Sequence, residues 1–308
     1  MSRRTEIRAW VPTMVADGRG DHRLSGATVE VWDGGRFPPG VGEVEFYVPP
    51  FLGGAETGEI MTKMPRLRVV QTLTAGVEAL RAYVPECVLL CNARGAHDAS
   101  TAEWVVGAIL GALHGFPRFA VAQHQHRWDF IRTDALADRT VLIVGYGSIG
   151  AAVERRLAGF EVEVLRVARH PQEGVAAETA LPDLLPRADV VVVLVPITSE
   201  TRGMVDARFL ARMKDRALLV NAARGAVVDT EALAAELSTG RLRAALDVTD
   251  PEPLPSDHPL WRVPGLLLTP HVAGSTPVSY RRSVRLAWDQ LQRYVSGQPL
   301  VNVISGAY

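Results

Sequence analysis

The stretch TVLIVGYGSIGAAVERRLAGF, residues 140–160, decides the fold of this chain. An apolar run that predicts a buried strand leads into Gly145, Gly147 and Gly150, and a helical pattern follows at once. The first glycine permits a tight turn, the second lets a pyrophosphate approach the backbone, and the third lets the helix lie close to the strand. N–H groups at the start of such a helix attract anions. The stretch therefore predicts a dinucleotide-binding turn, with a purely structural glycine turn as the alternative.

The end of the next apolar run, EVEVLRV, bears on which dinucleotide binds. An NAD site places an acid near this point, where its carboxylate accepts hydrogen bonds from the ribose 2′-OH. This chain has Ala168, Arg169 and His170 instead. No carboxylate stands there to repel a 2′-phosphate, and the planar cation of Arg169 suits phosphate oxygens. We predict a preference for NADP over NAD, with a solvated loop arginine as the alternative.

The order of apolar runs and helical patterns predicts an α/β protein with parallel sheets covered by helices. A first, smaller unit is expected from IRAWVP, TVEVWDG, VEFYVPP, LRVVQTL and CVLLCNARG. A second series has the valine and leucine content of strands buried on both faces: TVLIVG, EVEVLRV, DVVVVLVP, ALLVNAA, RAALDV and GLLLTPH. Between them, the capping-box spacing of Ser100 and Glu103 predicts that a long apolar helix begins there. The last helix is predicted to end at Gly297, and the tail to pack back on the first unit.

Composition limits the kinds of partner. The chain has 308 residues and a formal net charge of −1, which gives no reason to expect nucleic acid or an acidic membrane. No stretch approaches the roughly 20 apolar residues of a membrane span, and no apolar core of a signal peptide follows the basic N-terminus, so we expect a cytoplasmic protein. Cys87 and Cys91 are expected to be reduced packing residues. His124 and His126 have no acidic or thiol partner nearby, so we expect no metal site.

Four further motifs follow the glycine turn in a fixed order: VLVPITSETRGMVD, NAARGAVVDTEAL, ALDVTDPEPLPSDHPLW and LLTPHVAGST. With them the chain resembles the D-2-hydroxyacid dehydrogenases, a family of NAD(P)-dependent enzymes, from about residue 65 to the end. The resemblance implies a Rossmann-type doubly wound parallel sheet domain and a smaller flavodoxin-like α/β substrate domain. We assign residues 99–282 to the first domain, and residues 1–98 and 283–308 to the second.

Three residues of these motifs match the family's catalytic set: Arg224, Glu252 and His271. Arg224 follows a strand end, where open α/β sheets hold ligands, and its guanidinium can grip a carboxylate in bidentate fashion. An imidazole can exchange a proton with a carbonyl oxygen near neutral pH, and a carboxylate such as Glu252 nearby would orient its ring. The alternatives are an arginine that caps carbonyls and a packed core histidine.

The cofactor is expected to lie along the glycine turn and the strand ends of the second domain. Asp247 is predicted to support the nicotinamide side of the pocket, with a structural aspartate as the alternative. Thr198 matches the family's nucleotide-contacting threonine. The predicted cofactor contacts are Gly145, Tyr146, Gly147, Ser148, Ile149, Gly150, Ala168, Arg169, His170, Pro196, Thr198, Ala222, Asp247 and Gly274.

The first domain is expected to complete the pocket for a small acid. VVQTLTAGVEAL resembles the family segment whose backbone N–H groups hold the substrate carboxylate, which here implies Ala75 and Gly76. Arg94 is a further substrate candidate, with an interdomain salt bridge as the alternative. The resemblance also implies a homodimer, and Trp128 is our candidate for an aromatic residue that closes the pocket of a neighbouring subunit.

The resemblance implies that a glyoxylate- or hydroxypyruvate-like 2-oxo acid is reduced to the D-2-hydroxy acid by hydride transfer. His271 and Glu252 are the expected acid–base pair, and Arg224 is the expected substrate clamp. Two alternatives stay open: a phosphoglycerate dehydrogenase-like enzyme, and a nucleotide-sensing binding protein like the family's transcriptional co-repressors. Formate oxidation is not expected, because that branch has glutamine where Glu252 stands.

Overall fold

The computed structural model describes residues 6–18, 24–37, 39–51, 53 and 56–305. The chain divides into two compact units: unit 1 comprises Met1–His97 and Thr276–Tyr308, and unit 2 comprises Asp98–Ser275. The return to unit 1 thus comes at Thr276, seven residues before the predicted boundary at residue 283. The predicted boundary falls inside the last long helix, whose first turn already packs on unit 1.

Unit 1 has a five-stranded sheet with short helices. Its strands are β1 (Ile7–Val11), β2 (Ala27–Val31), β3 (Val44–Tyr47), β4 (Val69–Gln71) and β5 (Leu89–Cys91), and the helices before residue 98 are α1 (Thr13–Asp17), α2 (Glu56–Glu59) and α3 (Glu78–Arg81). The strands pair in parallel in the order β2-β1-β3-β4-β5. This is the flavodoxin-like strand order, as the resemblance implies.

Unit 2 has a seven-stranded sheet between two layers of helices. Its helices are α4 (Asp98–Leu113), α5 (Phe116–His124), α6 (Ser148–Leu157), α7 (Leu181–Leu184), α8 (Ala207–Arg212) and α9 (Thr230–Ser238), and its strands are β6 (Thr140–Val144), β7 (Glu163–Ala168), β8 (Ala176–Ala177), β9 (Val190–Val193), β10 (Leu218–Asn221), β11 (Arg243–Leu246) and β12 (Leu266–Leu268). All pairings are parallel, in the order β12-β11-β10-β9-β6-β7-β8. The doubly wound Rossmann-type domain is therefore confirmed.

The centre of this sheet is buried on both faces. Every residue of β9 is fully buried, and its neighbours β6 and β10 are buried except at the first residue of β6. One face contributes to a cluster with α8 and α9, and the other to a cluster with α4 and α6. Valine suits such a strand because its branched side chain packs well on a pleated surface. Two core clusters on opposite faces hold the strand ends in fixed register.

The long helix at the start of unit 2 begins earlier than the capping-box spacing predicts. Helix α4 already begins at Asp98, so Ser100 lies buried in its first turn. Glu103 therefore lies inside the helix and closes no cap at Ser100; its carboxylate accepts a hydrogen bond from the guanidinium of Arg156 on α6, at 3.1 Å. The capping-box prediction was wrong. The long apolar helix itself is present, and it packs against α6.

Helix α10 (Pro277–Val295) and the tail belong to unit 1. Thr276 is the N-cap, and its hydroxyl accepts a hydrogen bond from the Ser279 N–H. Trp288 is buried and donates its indole N–H to the carbonyl of Val15 at 2.7 Å. The tail pairs with β5, where the Ile304 N–H donates to the Leu90 carbonyl at 2.8 Å. The prediction that the tail returns to the first unit is confirmed.

Two smaller expectations concern cysteines and membranes. Both cysteines are free; Cys91 is buried on β5, which raises its pKa to about 11, whereas Cys87 is exposed and is not a packing residue. Among the described residues, no single helix has both the length and the apolar content needed to cross a membrane, and α4 and α5 pass that test only as a pair bent by 65°.

Candidate functional site

The predicted cofactor and catalytic residues of unit 2 lie at or after the carboxyl ends of its strands. They follow β6 (Gly145 to Gly150), β7 (Ala168 to His170), β9 (Pro196, Thr198), β10 (Ala222, Arg224), β11 (Asp247, Glu252) and β12 (His271, Gly274). Because all strands are parallel, these ends share one edge of the sheet. The winding reverses between β6 and β9, and open α/β sheets bind ligands in the crevice at such a reversal. The topology therefore gathers the predicted residues of unit 2 on one edge.

The glycine turn has the shape that a dinucleotide needs. Gly145 has φ +98°, and a Cβ on it would lie 2.7 Å from the backbone between Leu194 and Val195. A Cβ on Gly147 would meet nothing within 4 Å, so the space above this residue is open. A Cβ on Gly150 would lie 3.0 Å from the Gly145 carbonyl oxygen. The turn thus presents open backbone followed by the N-terminus of α6, which fits the diphosphate of a dinucleotide.

The adenosine end of the predicted site lies where β7 ends. Arg169 and His170 are exposed just after the strand. The pKa of the nearby Glu200 carboxyl is lowered, first by a hydrogen bond from Thr198 and to a lesser extent by the charge of Arg169. Arg169 at the end of β7 therefore lies near enough to Glu200, in the loop after β9, for its charge to act on that carboxyl. The Thr198 hydroxyl also accepts from the N–H groups of Glu200 and Thr201, each at 3.2 Å.

A histidine–carboxylate pair stands at the other end of the sheet edge. His271 Nδ1 lies 2.6 Å from Glu252 Oε1, and both side chains are half-exposed. The two residues are nineteen positions apart in sequence, and they meet because they follow β11 and β12, which are neighbouring parallel strands. With Nδ1 facing the carboxylate, the ring leaves Nε2 for proton exchange with a ligand. The pair therefore has the geometry of an oriented acid–base group.

Asp247 holds the loop that carries the histidine. Its carboxylate is buried and accepts hydrogen bonds from the Thr269 hydroxyl at 2.6 Å and from the N–H groups of Val272 at 2.9 Å and Ala273 at 2.8 Å. The Asp247 carbonyl accepts from the His271 N–H at 2.7 Å. Sequence reasoning predicted a cofactor contact and left a structural aspartate open. These contacts show how the side chain fixes the loop between β12 and α10.

Arg224 is placed by its backbone. The buried Asn221 donates from its side-chain amide to the Arg224 carbonyl at 3.0 Å and accepts from the Ala223 N–H at 3.0 Å. Gly225 packs so closely on the next loop that a Cβ would lie 1.9 Å from the Thr249 carbonyl oxygen. Arg224 itself donates to the Ala223 carbonyl at 2.7 Å. A guanidinium has five N–H groups, so this bond is compatible with carboxylate binding.

The candidate residues of unit 1 also share a sheet edge. Ala75 and Gly76 follow β4, and Arg94 follows the neighbouring β5 and is exposed. Asn92 connects the two segments, since its amide donates to the Ala75 carbonyl at 2.7 Å and accepts from the Arg94 N–H at 3.1 Å. The Thr74 hydroxyl donates to the Gly76 carbonyl at 2.7 Å. These contacts set the backbone of both predicted substrate segments.

Sequence reasoning missed the residues that hold the site in place. Asn221 and Asn92 each directly follow or end a strand and bridge two backbone groups, and an asparagine at a strand end in NAARG and in CNARG is the signal that could have identified them. Glu154 on α6 and Arg166 on β7, whose side chains form an ion pair, were also missed, because no local pattern in a helix or a strand marks such a pair.

Trp128 lies in unit 2, after α5, and is almost wholly exposed at 96%. The neighbouring Phe130 is 82% exposed. The segment is nevertheless held in place, since Arg118 forms a bidentate ion pair with Asp129 at 2.7 and 3.0 Å. Two aromatic rings are therefore displayed to the outside of this chain by an ordered segment.

Comparisons with known proteins agree with this geometry. Residues 106–273 match the family model described as "D-isomer specific 2-hydroxyacid dehydrogenase, NAD binding domain". The glyoxylate reductase of Thermofilum pendens is 33% identical over 259 residues, which cover 78% of this chain and 75% of that protein. The D-3-phosphoglycerate dehydrogenase of Methanocaldococcus jannaschii is 30% identical over 264 residues, which cover 82% of this chain and 50% of that protein.

A solved structure extends the similarity to nearly the whole chain. The D-isomer specific 2-hydroxyacid dehydrogenase from Xanthobacter autotrophicus Py2, in complex with NADPH and MES, superposes with a TM-score of 0.81 at 29% identity and covers 98% of both chains. The family model, the relatives and the superposition agree with one another and with the two parallel sheets. The chain belongs to the D-isomer specific 2-hydroxyacid dehydrogenase family, and unit 2 carries that family's NAD binding domain.

Proposed function

We propose that this protein reduces a small 2-oxo acid of the glyoxylate or hydroxypyruvate type to the D-2-hydroxy acid, with NADPH as the reductant. The observation that carries the proposal is the 2.6 Å contact between His271 and Glu252 on the same sheet edge as the glycine turn. When bound, the nicotinamide cofactor supplies the hydride that goes to C2 of the oxo acid. The similarity to a glyoxylate reductase supports the substrate class.

His271 donates the proton that balances the hydride. The protonated ring gives its Nε2 proton to the carbonyl oxygen of the substrate as the C–O double bond becomes single, and it is reprotonated from solvent. Glu252 accepts the hydrogen bond from Nδ1, so it sets the ring orientation and stabilises the charged ring. In the direction of oxidation the neutral ring takes the same proton back. A half-exposed pair suits this exchange because solvent can reach it.

Arg224 binds the carboxylate of the substrate. A planar guanidinium with several N–H groups matches a carboxylate, and Asn221 and Gly225 fix the backbone from which it extends. In unit 1 the proposed substrate contacts are the backbone N–H groups of Ala75 and Gly76, with Arg94 as an additional cation. Since neutral aldehydes and ketones lack a carboxylate for this anchor, the protein should discriminate strongly in favour of oxo acids.

A spectrophotometric screen tests the proposal directly. Purified full-length protein is mixed with NADPH or NADH and with glyoxylate, hydroxypyruvate, pyruvate and larger 2-oxo acids, and the loss of absorbance at 340 nm is followed. We expect turnover with glyoxylate and hydroxypyruvate, and a D-configured product from hydroxypyruvate, since glycolate, the product from glyoxylate, is achiral. His271→Ala should lower kcat by roughly 10² to 10⁴ and leave the Kd of NADPH unchanged. Binding of NADPH without turnover of any oxo acid would contradict the enzyme assignment and favour a nucleotide-sensing protein.

A phosphoglycerate dehydrogenase is the second candidate, since one such relative is 30% identical. The chain spans half the length of that relative. Oxidation of 3-phosphoglycerate with NAD or NADP, measured beside the oxo-acid screen, separates the two activities. A kcat/KM for 3-phosphoglycerate above that for glyoxylate and hydroxypyruvate would replace our substrate assignment.

The preference for NADP is assigned to Arg169. The residue is exposed at the end of β7, its neighbours Ala168 and His170 carry no carboxylate, and the similar structure from Xanthobacter autotrophicus is an NADPH complex. Arg169→Ala should raise the KM for NADPH about 10- to 100-fold, because a charge-assisted hydrogen bond is worth roughly 1.5–3 kcal/mol. The KM for NADH should hardly change. Equal kcat/KM for the two cofactors in the unchanged protein would remove the argument.

The exposed aromatic segment supports a homodimer. Trp128 and Phe130 help to line a groove of about 540 Å³, together with Phe119, Ala122 and Ile131 among others. A second copy of the chain fits this surface, because the projecting rings and the apolar groove are both present on each copy.

We also propose a cytoplasmic site of action, which the two free thiols and the use of an intracellular reductant support.

A further inference from the structure

Three side chains connect the glycine turn, the helix after it and the next strand. Tyr146, between the first two glycines, donates its hydroxyl to Glu154 on α6. Arg166 on β7 donates to both oxygens of the same carboxylate, through Nε at 2.8 Å and through a terminal nitrogen. The Arg166 guanidinium also lies 5.8 Å from the centre of the Tyr146 ring. We call these three residues the tyrosine triad.

The charges of the triad balance within it. Hydrogen bonds from Arg166, and then from Tyr146, hold the pKa of the Glu154 carboxyl below its ordinary value despite partial burial. The same contacts raise the pKa of Arg166 and of Tyr146. Arg166 is therefore paired with a carboxylate, and Arg169, three residues further on, is the exposed cation at this end of the sheet. Because its charges cancel, the triad is suited to hold the surrounding backbone in place and not to attract a phosphate group.

The triad lies against the glycine turn and the start of α6. The N–H groups of Gly145 and Tyr146 both donate to the Val167 carbonyl at 2.9 Å, which ties the turn to β7. A Cβ on Gly150 would lie 3.4 Å from the Tyr146 ring, so the ring packs at the first turn of α6. The hydroxyl end of that ring is held by Glu154 from the middle of the same helix. Turn, helix and strand are thus connected on both the backbone side and the side-chain side.

We propose that Tyr146, Glu154 and Arg166 are positioning residues that hold the glycine turn and the N-terminus of α6 in the conformation that accepts the cofactor diphosphate. Converging N–H groups repel one another before an anion binds, so the turn needs support from outside it. The triad supplies that support and is separate from recognition of the 2′-phosphate. Its loss weakens NADPH and NADH equally, because the two cofactors share the diphosphate. The inference rests on cofactor binding and not on the proposed substrate.

Binding measurements on the full-length protein without substrate test this inference. The Kd values of NADPH and NADH are measured by isothermal titration calorimetry for Tyr146→Phe, Glu154→Gln and the double variant. We expect Tyr146→Phe to raise both Kd values about three- to tenfold, since the lost hydrogen bond acts on the turn indirectly and only part of its free energy is lost from cofactor binding. Glu154→Gln should have at least that effect. The double variant should be no worse than Glu154→Gln, because the hydroxyl acts through Glu154.

The ratio of the two Kd values separates the triad from Arg169. In the triad variants the ratio for NADH over NADPH should stay at its original value, whereas Arg169→Ala should lower it. A matched control is Glu236→Gln, which breaks a comparable ion pair with Arg241 (2.6 Å, with similar side-chain exposure) away from the glycine turn. It should lower the melting temperature without changing either Kd.

Three results would overturn the inference. Unchanged Kd values in the triad variants, whatever their melting temperatures, would make the triad a stabilising contact only. A change confined to NADPH would assign it to the 2′-phosphate. An equal effect of Glu236→Gln would mean that general loss of stability weakens binding. If Glu154→Gln does not fold, Tyr146→Phe decides alone, since it removes a single oxygen from a partly exposed side chain. Failure of the oxo-acid screen would leave all these measurements valid.

Discussion

At the scale of single residues, the histidine loop shows how a strained backbone is held for chemistry. His271 has φ +54°, a left-handed conformation that is uncommon outside glycine although histidine adopts it more readily than most residues. Its N–H bonds to the Asp247 carbonyl, and the Asp247 carboxylate collects three donors from the same loop. The strain is thus offset by contacts that also point the ring towards Glu252.

Replacing Asp247 by Asn should cost stability and activity together. The amide keeps one acceptor oxygen and turns its NH₂ towards a donor of the loop, so at least one loop donor, such as the buried Ala273 N–H, loses its acceptor. We expect the free energy of unfolding to fall by about 2–4 kcal/mol in urea titrations. Thr269→Val, which removes one of the three bonds, should cost about 1 kcal/mol. An Asp247→Asn variant as stable as the original protein would show that the carboxylate is not needed to hold the loop.

A pH dependence is expected from Glu154. Its folded pKa lies below the ordinary value of 4.5, because Arg166 and Tyr146 bond to the charged form. As pH falls through about 4.5 the unfolded chain binds a proton that the native carboxylate does not, so the stabilising contribution, complete above about pH 5.5, is progressively lost.

We expect the stability difference between the original protein and Glu154→Gln to become smaller as the pH falls. The difference in unfolding free energy between the original protein and Glu154→Gln, measured in urea at several pH values, should be largest near pH 7 and shrink below about pH 5. A gap that stays constant down to about pH 3 would mean that the folded pKa is not lowered.

At the scale of elements, helix caps stabilise the segments around the site. Asp229 is the N-cap of α9, and its carboxylate accepts from the Ala232 N–H at 3.0 Å; Asp206 caps α8 in the same way at 2.8 Å. Both caps satisfy an N–H group that has no partner inside its helix. Since α9 follows directly on the short helical turn after Arg224, its start helps to fix the loop that carries the guanidinium.

Asp229→Ala should therefore lower the free energy of unfolding by about 1 kcal/mol, because the cap is lost. Asp229→Ser, which can still accept the hydrogen bond, should retain most of the stability. Urea titration of the two variants beside the original protein measures the effect. If both variants lose the same unfolding free energy, the charge of Asp229 and not its cap hydrogen bond stabilises the helix.

At the scale of the whole molecule, the exposed aromatic segment sets the expected assembly. Trp128→Glu combined with Phe130→Glu should convert the proposed homodimer into a monomer, because two charges per copy would be buried in an apolar interface. Sedimentation velocity at micromolar concentration distinguishes the two forms. Trp261→Glu, which changes an exposed tryptophan in the short helical turn Pro259–Arg262, is the matched control and should leave the dimer intact. If the original protein itself sediments as a monomer, the proposed interface does not exist.

Much of the fold and part of the site could be predicted from the sequence. The positions of β6, β7, β9, β10, β11 and β12 follow from apolar runs, and the doubly wound class follows from their alternation with helical patterns. The glycine turn was recognisable because its three glycines are needed by local backbone geometry. The short strand β8, which has only two residues, gives no such run and was missed.

What the sequence determined by itself is what depends on neighbouring residues: periodicity, turn chemistry, and the order in which candidate groups meet the strand ends. The tertiary structure alone decided the contacts between groups far apart in the chain. Arg156 on α6 pairs with Glu103 on α4, and Thr276, not residue 283, marks the return to unit 1. Tyr146, Glu154 and Arg166 meet across three elements. Such pairs form only when packed faces bring them within hydrogen-bond distance, and no local pattern encodes which faces meet.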